Sequence, residues 1–187
     1  RLASRCLEYS RGMTPHAGVK ELEKNTGDLY SDCFERLNAI DEHWFAHGRL
    51  LAQQLGISEE IVRGKRVLDG GCGNGTMTYR FLSMGAGHIT GVDLHPTPKG
   101  SVFDAYRGVV EFVTASLLDL PFSDASFDVV ASTGVLQHTA DPEQALAENH
   151  DKQAYQLARA FLRVDPQHER MNEIDGIARQ KVADSAV

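Results

Sequence analysis

The sequence predicts an α/β protein with a mainly parallel sheet flanked by helices, on three observations. Short apolar runs alternate with helical or loop segments between Arg66 and Ser132. The first run enters a glycine-rich turn, "DGGCGNGT", that opens onto a helix. On either side of this block the chain has helical rather than strand character.

Before Gly64, Leu29, Cys33 and Leu37 recur at helical spacing, and so do Trp44, Leu51 and Leu55 around a charged start at Asp41 and Glu42. Residues 1–63 therefore read as an N-terminal helical segment on the cap or substrate side of the central unit. From Arg66 the period changes. "RVLDG" is a short apolar strand, "TMTYRFLSMG" a helix closed by Gly85, "HITGVDL" a second strand, "VEFVTAS" a third and "FDVVAS" a fourth. The two prolines of "HPTPKG" leave room for only a short helix near Phe103 to Tyr106. In "DPEQALAENH", Asp141 is placed to cap a helix, with Pro142 at its first position and Gln144 at its third. The central unit is thus residues 64–148. Residues 149–187 read as a polar helical tail with Ala154, Ala158, Phe161 and Leu162 on one face, and no further strand is expected there.

The 187 residues, 42% of them hydrophobic, are enough for one domain with a sizeable core. Nineteen Lys and Arg against twenty-six Asp and Glu give a net charge of −7. With no basic run interleaved with aromatics, this balance argues against a nucleic-acid partner. Cys6, Cys33 and Cys72 form neither a C-x-x-C pair nor an even framework, which fits free thiols in a reducing compartment. Neither a long uncharged apolar segment nor a leader-like N-terminus is evident, so no membrane span is expected and the cytoplasm is the default location.

The chemistry centres on the glycine turn. A strand entering such a turn and opening a helix sets backbone N–H groups and the positive end of a helix dipole beside a ligand. Gly71, Gly73 and Gly75 have G-x-G-x-G spacing, with Thr76 next, rather than the G-x-G-x-x-G of dinucleotide sites. A G-x-x-x-x-G-K-[ST] phosphate loop is absent. Asp93 ends the second strand about twenty residues past the loop, where a carboxylate accepts both hydroxyls of a ribose. Asp69 at the end of the first strand would repel a diphosphate and suits an amino-bearing or cationic ligand.

"VLDGGCGNGTMT", "GVDL", "LLDLPFSDASFDVV" and "STGVLQHTADPEQALAE", in this order, resemble the class I S-adenosylmethionine-dependent methyltransferases of the small-molecule kind. The resemblance covers about residues 64–148 and implies a Rossmann-like methyltransferase fold with S-adenosyl-L-methionine as cofactor and S-adenosyl-L-homocysteine as product. It further implies that Asp69, Gly70, Gly71, Cys72, Gly73, Asn74 and Gly75 form the cofactor cradle, with Asp69, Gly71, Cys72 and Gly73 at the methionine end. Asp93 would hold the ribose hydroxyls and Leu94 would lie against the adenine. Ser116 and Leu117 stand where the family often has an acidic residue on the adenine amino group and a backbone amide on the ring; a serine accepts that hydrogen bond more weakly than a carboxylate. Thr133 and Gly134 fall where backbone groups touch the methionine moiety, and Gln137 and His138 where a polar pair faces the active-site cavity.

His138 is the ionisable side chain of "STGVLQHT" and the candidate general base toward an acceptor hydroxyl or amine. A capping or substrate-contacting histidine is the commoner role, and methyl transfer needs little beyond in-line positioning of a nucleophile. Cys72 reads as loop packing rather than a nucleophile. Trp44, Phe45 and His47 read as core or, if the leading helices fold over the site, as acceptor lining. Glu42, His43 and His47 lack a third metal ligand nearby, so no metal is assigned.

Beyond Glu148 the sequence departs from the family, which continues with three more strands. The fourth strand would then be a sheet edge, covered by the tail or by a second copy of the chain as a homodimer, unless the sequence is a shortened form of a longer chain. Two functions from different classes stand: a methyltransferase acting on the O, N or C nucleophile of a small molecule, or a non-catalytic S-adenosylmethionine-binding module serving as a binding or assembly subunit.

Overall fold

A computed structural model describes residues 18–36, 42–54, 56–96, 98 and 100–151. Among these, three helices precede the sheet: α1 (Val19–Arg36), α2 (Glu42–Gln54) and the single turn α3 (Glu59–Val62). The chain then runs β1 (Arg66–Gly70), α4 (Thr76–Ser83), β2 (His88–Asp93) and α5 (Gly100–Phe103), which continues as a 3₁₀ turn over Asp104–Tyr106. It ends in β3 (Val110–Thr114), β4 (Val129–Ser132), a 3₁₀ turn over Leu136–His138 and α6 (Pro142–Asp151). All four expected strands are present and pair in parallel in the order β3-β2-β1-β4. The expected helical tail lies beyond residue 151, outside the described residues, and so does any covering of the β4 edge by it.

Parallel strands carry helices on both faces, so their apolar residues must serve two cores. Val67 and Leu68 of β1 are both fully buried, on opposite sides. Val67 joins Ile89, Val129 and Ala131 against Met77 and Phe81 of α4 and Ala52 of α2. Leu68 joins Val92 and Val130 against Leu117, Leu120, Phe127, Leu136 and Ala145. Trp44 and Phe45 of α2 form an aromatic group with Tyr79 of α4, with ring centroids 5.1 to 5.4 Å apart. Trp44 is therefore core, and neither Phe45 nor His47 lines the cavity at the carboxyl ends of the strands.

Local signals account for the helix ends. Beyond α4, Gly85 adopts φ +82°, its N–H donates to the Leu82 carbonyl and that of Ala86 to the Phe81 carbonyl, which closes the helix in a Schellman arrangement. The Asp141 carboxylate accepts from the N–H groups of Glu143 and Gln144 at 3.1 and 3.0 Å, capping α6 as its sequence predicts. From α6, Gln144 donates to the Leu118 carbonyl and Glu148 accepts from the Leu120 N–H, which ties down the long β3–β4 connection.

The topology sets the position of the site. β1 is flanked in space by β2 on one side and β4 on the other, so the connections leaving β1 and β4 diverge, and a crevice opens at the carboxyl ends of these strands.

Candidate functional site

A cavity with about 760 Å³ of empty space, partly open to solvent, lies at the carboxyl ends of the strands. Each strand contributes the residues just past its end: Gly71 after β1, Asp93 and Leu94 at β2, Ala115 and Leu117 after β3, and Thr133, Gly134 and Val135 after β4. His138 and Thr139 come from the 3₁₀ turn and its end, and α1 closes one wall with Glu23, Thr26, Gly27 and Tyr30.

The glycine turn is shaped from within. The N–H groups of Gly71 and Cys72 both donate to the Val92 carbonyl, at 2.7 and 2.9 Å, and that of Gly73 donates to the Asp93 carboxylate at 2.9 Å. These three amides are engaged by β2, so the turn is not a cradle of free N–H groups for a phosphate. At Gly71, φ is +80° and an added Cβ would lie 2.3 Å from the Val135 side chain, so only glycine fits. Gly75, with φ +83°, lies under the Phe103 ring. Asn74 accepts from the N–H and hydroxyl of Thr76 at 3.3 and 2.7 Å and organises the first turn of α4.

Asp93 faces the cavity with its orientation fixed. One carboxylate oxygen accepts from the Gly73 N–H and the other from the His95 N–H at 3.1 Å. Each oxygen keeps capacity for a further donor from a ligand. Asp69 is placed differently. It is buried below the turn, does not line the cavity, and accepts from the Thr78 hydroxyl at 2.6 Å. Burial pushes its carboxyl up to about 6, the Thr78 bond opposes this, and the nearby charge of Asp93 adds to it. Burial first, then the carboxylates of Asp69 and Asp93, push the Cys72 thiol far up; it stays protonated and packs against the sheet.

Of the residues singled out from the sequence, Gly71, Asp93, Leu94, Leu117, Thr133, Gly134 and His138 come together around the cavity. Asp69, Gly70, Cys72, Gly73, Asn74 and Gly75 do not line it. An added Cβ at Gly70 would lie 2.9 Å from the amide oxygen of Asn149 on α6. Ser116 does not line the cavity; its hydroxyl donates to the Glu23 carboxylate and accepts from the Leu118 N–H at 3.0 Å. The Thr133 hydroxyl oxygen is buried with no partner among the described residues. The His138 and Tyr30 rings are in tilted contact, with centroids 5.3 Å apart and planes 51° from parallel.

The sequence places residues 1–63 on the cap or substrate side, but which residues of α1 line the cavity is not foreseen from it. Glu23, Thr26, Gly27 and Tyr30 have spacings of three, four and seven residues, one face of a helix. Gly27 lets that face approach: an added Cβ there would lie 2.5 Å from the His95 ring. A polar and aromatic stripe centred on a glycine is the signal that could have found it. Among the described residues no cluster of three His, Cys, Asp or Glu is placed to hold a metal ion, and no helix is long and apolar enough to cross a membrane.

Comparison with known proteins adds to this geometry. Residues 68–151 match the family model described as a methyltransferase domain. The O-methyltransferase rstn1 of Aspergillus nomiae is 35% identical over 101 residues, covering 51% of this chain and 45% of that protein. A tRNA U34 carboxymethyltransferase of Pseudomonas putida is 37% identical over 93 residues, covering 46% of this chain and 28% of that protein. The chain thus spans less than half the length of either relative. The crystal structure of a Burkholderia thailandensis 1,6-didemethyltoxoflavin-N1-methyltransferase, bound to 1,6-didemethyltoxoflavin and S-adenosylhomocysteine, superposes with a TM-score of 0.54 at 25% identity. That match covers 75% of this chain and 62% of the other.

Proposed function

We infer, from a chain whose residues 68–151 are a class I S-adenosylmethionine-dependent methyltransferase domain, that the protein binds S-adenosylmethionine in this cavity and transfers its methyl group to a small-molecule acceptor. The observation that carries the reading is Asp93: a carboxylate locked by two backbone N–H groups, facing a cavity beside a glycine that admits no side chain.

The residues present fit the cofactor. Gly71 lines the cavity with Val135 packed against it, and the Thr133 hydroxyl oxygen is a buried polar atom that needs a partner. Asp93 would accept from the two ribose hydroxyls, while Leu94, Ala115 and Leu117 exclude water from a planar base. When bound, the cofactor supplies an electrophilic methyl group on a sulfonium. The turn's engaged amides favour such a ligand over a diphosphate-bearing one.

On the acceptor side, Tyr30 and His138 form an aromatic wall. His138 either takes the proton of an acceptor hydroxyl or amine or holds that group in line. A small acceptor is favoured over RNA because the chain carries a net charge of −7 and the site is a recessed cavity rather than a basic groove. The likeness to an O-methyltransferase supports it further.

The test is incubation with methyl-labelled S-adenosylmethionine and a panel of hydroxylated and aminated small molecules, with bulk tRNA in parallel. Label in a small product supports the reading. Label in tRNA alone would contradict it, and cofactor binding without any transfer would favour the non-catalytic module.

A further inference from the structure

The cavity carries two carboxylates, Asp93 and Glu23, and the second comes from a helix that precedes the methyltransferase domain. Its place is informative. Ala115 and Leu117 line the cavity with Leu94 as an apolar slot, and Ser116, between them in sequence, is bonded to Glu23. Asp93 thus neighbours Leu94, and Glu23 is tied through Ser116 to the segment that supplies Ala115 and Leu117.

Ser116 has its hydroxyl proton on Glu23 and accepts from the Leu118 N–H, so its one donor and one of its two lone pairs are engaged within the protein. Glu23 keeps acceptor capacity, since a carboxylate offers about four lone-pair sites and Ser116 uses one. A planar heterocycle in this slot would meet a group that only accepts hydrogen bonds. Such a group favours a ring with an amino substituent at that edge and disfavours one with a carbonyl, whose lone pairs would face those of the carboxylate.

We propose that Glu23 is the specificity residue for the base of the cofactor, accepting from the exocyclic amino group of adenine, and that Ser116 positions it. This rests on the reading that the cavity binds S-adenosylmethionine. It also gives α1 a role in cofactor binding: Gly27 allows the helix to seat against His95, and Asp28 lies 3.5 Å from the His95 ring nitrogen, which holds Glu23 over the slot.

The experiment compares S-adenosylhomocysteine with S-inosylhomocysteine, in which a carbonyl replaces the amino group, by calorimetric titration of the wild-type chain, Glu23→Gln and Ser116→Ala. The wild type should prefer the adenosyl ligand by roughly tenfold or more, the size expected for a hydrogen bond to a charged group. Glu23→Gln, whose amide presents a donor or an acceptor, should lose most of that preference, and Ser116→Ala should reduce it. Equal affinity of the wild type for the two ligands would overturn the proposal without any variant, and so would an unchanged ratio in a folded Glu23→Gln. If the wild type binds neither ligand, the cofactor reading itself fails and this inference falls with it.

Discussion

Replacing Asp69 with asparagine should stabilise the protein, and should do so only above a defined pH. A carboxyl that titrates at 3.8 when unfolded and at about 6 when folded binds its proton more tightly in the folded chain. At about 1.36 kcal/mol per pH unit, that difference amounts to about 3 kcal/mol. Because the folded state holds the proton more strongly, this contribution is fully present below about pH 4, declines as pH rises to about 6, and is absent above. The cause is burial of the group beneath the glycine turn, strengthened by the charge of Asp93. Asparagine keeps the shape and an acceptor for the Thr78 hydroxyl but cannot ionise. Urea unfolding of both chains between about pH 4.5 and 8 should show the variant gaining on the wild type as pH rises, by about 2 kcal/mol across that window. A stability difference that does not vary with pH, or a variant that loses ground at high pH, would refute the reasoning.

Three further perturbations test the site. Gly71→Ala introduces a Cβ 2.3 Å from Val135 at a φ of +80° and should cost roughly 1–3 kcal/mol; Val135→Ala in the same chain should recover part of it, as urea midpoints will show. Asp93→Ala should weaken S-adenosylhomocysteine binding by roughly tenfold or more, and undiminished binding in calorimetry would remove Asp93 from the ribose. His138→Asn should lower kcat/KM for the acceptor and leave S-adenosylhomocysteine affinity unchanged; a loss of cofactor affinity would place His138 on the cofactor instead.

Much of the central domain was legible because its signals are local. Runs such as "RVLDG" announce strands buried on two faces, Gly85 ends α4 through its own backbone, and Asp141 caps α6 two and three residues ahead. Asp93 was legible too, since its place depends only on where β2 stops. What was not legible depends on distant pairing. The Glu23–Ser116 bond spans 93 residues, and nothing near either residue announces it. Engagement of the glycine-turn amides comes from β1 pairing with β2, which brings the Val92 carbonyl under Gly71 and Cys72. In α1 the helical periodicity is carried by apolar residues such as Leu29, whereas the face that lines the cavity carries Glu23, Thr26, Gly27 and Tyr30, which in isolation resembles a solvated surface.

Calorimetric titration of the chain with S-adenosylmethionine and S-adenosylhomocysteine tests the central claim most directly. Saturable binding of both ligands at one site per chain, weakened in Asp93→Ala, is the result the account predicts. Absence of heat and of any thermal shift with either ligand would contradict it.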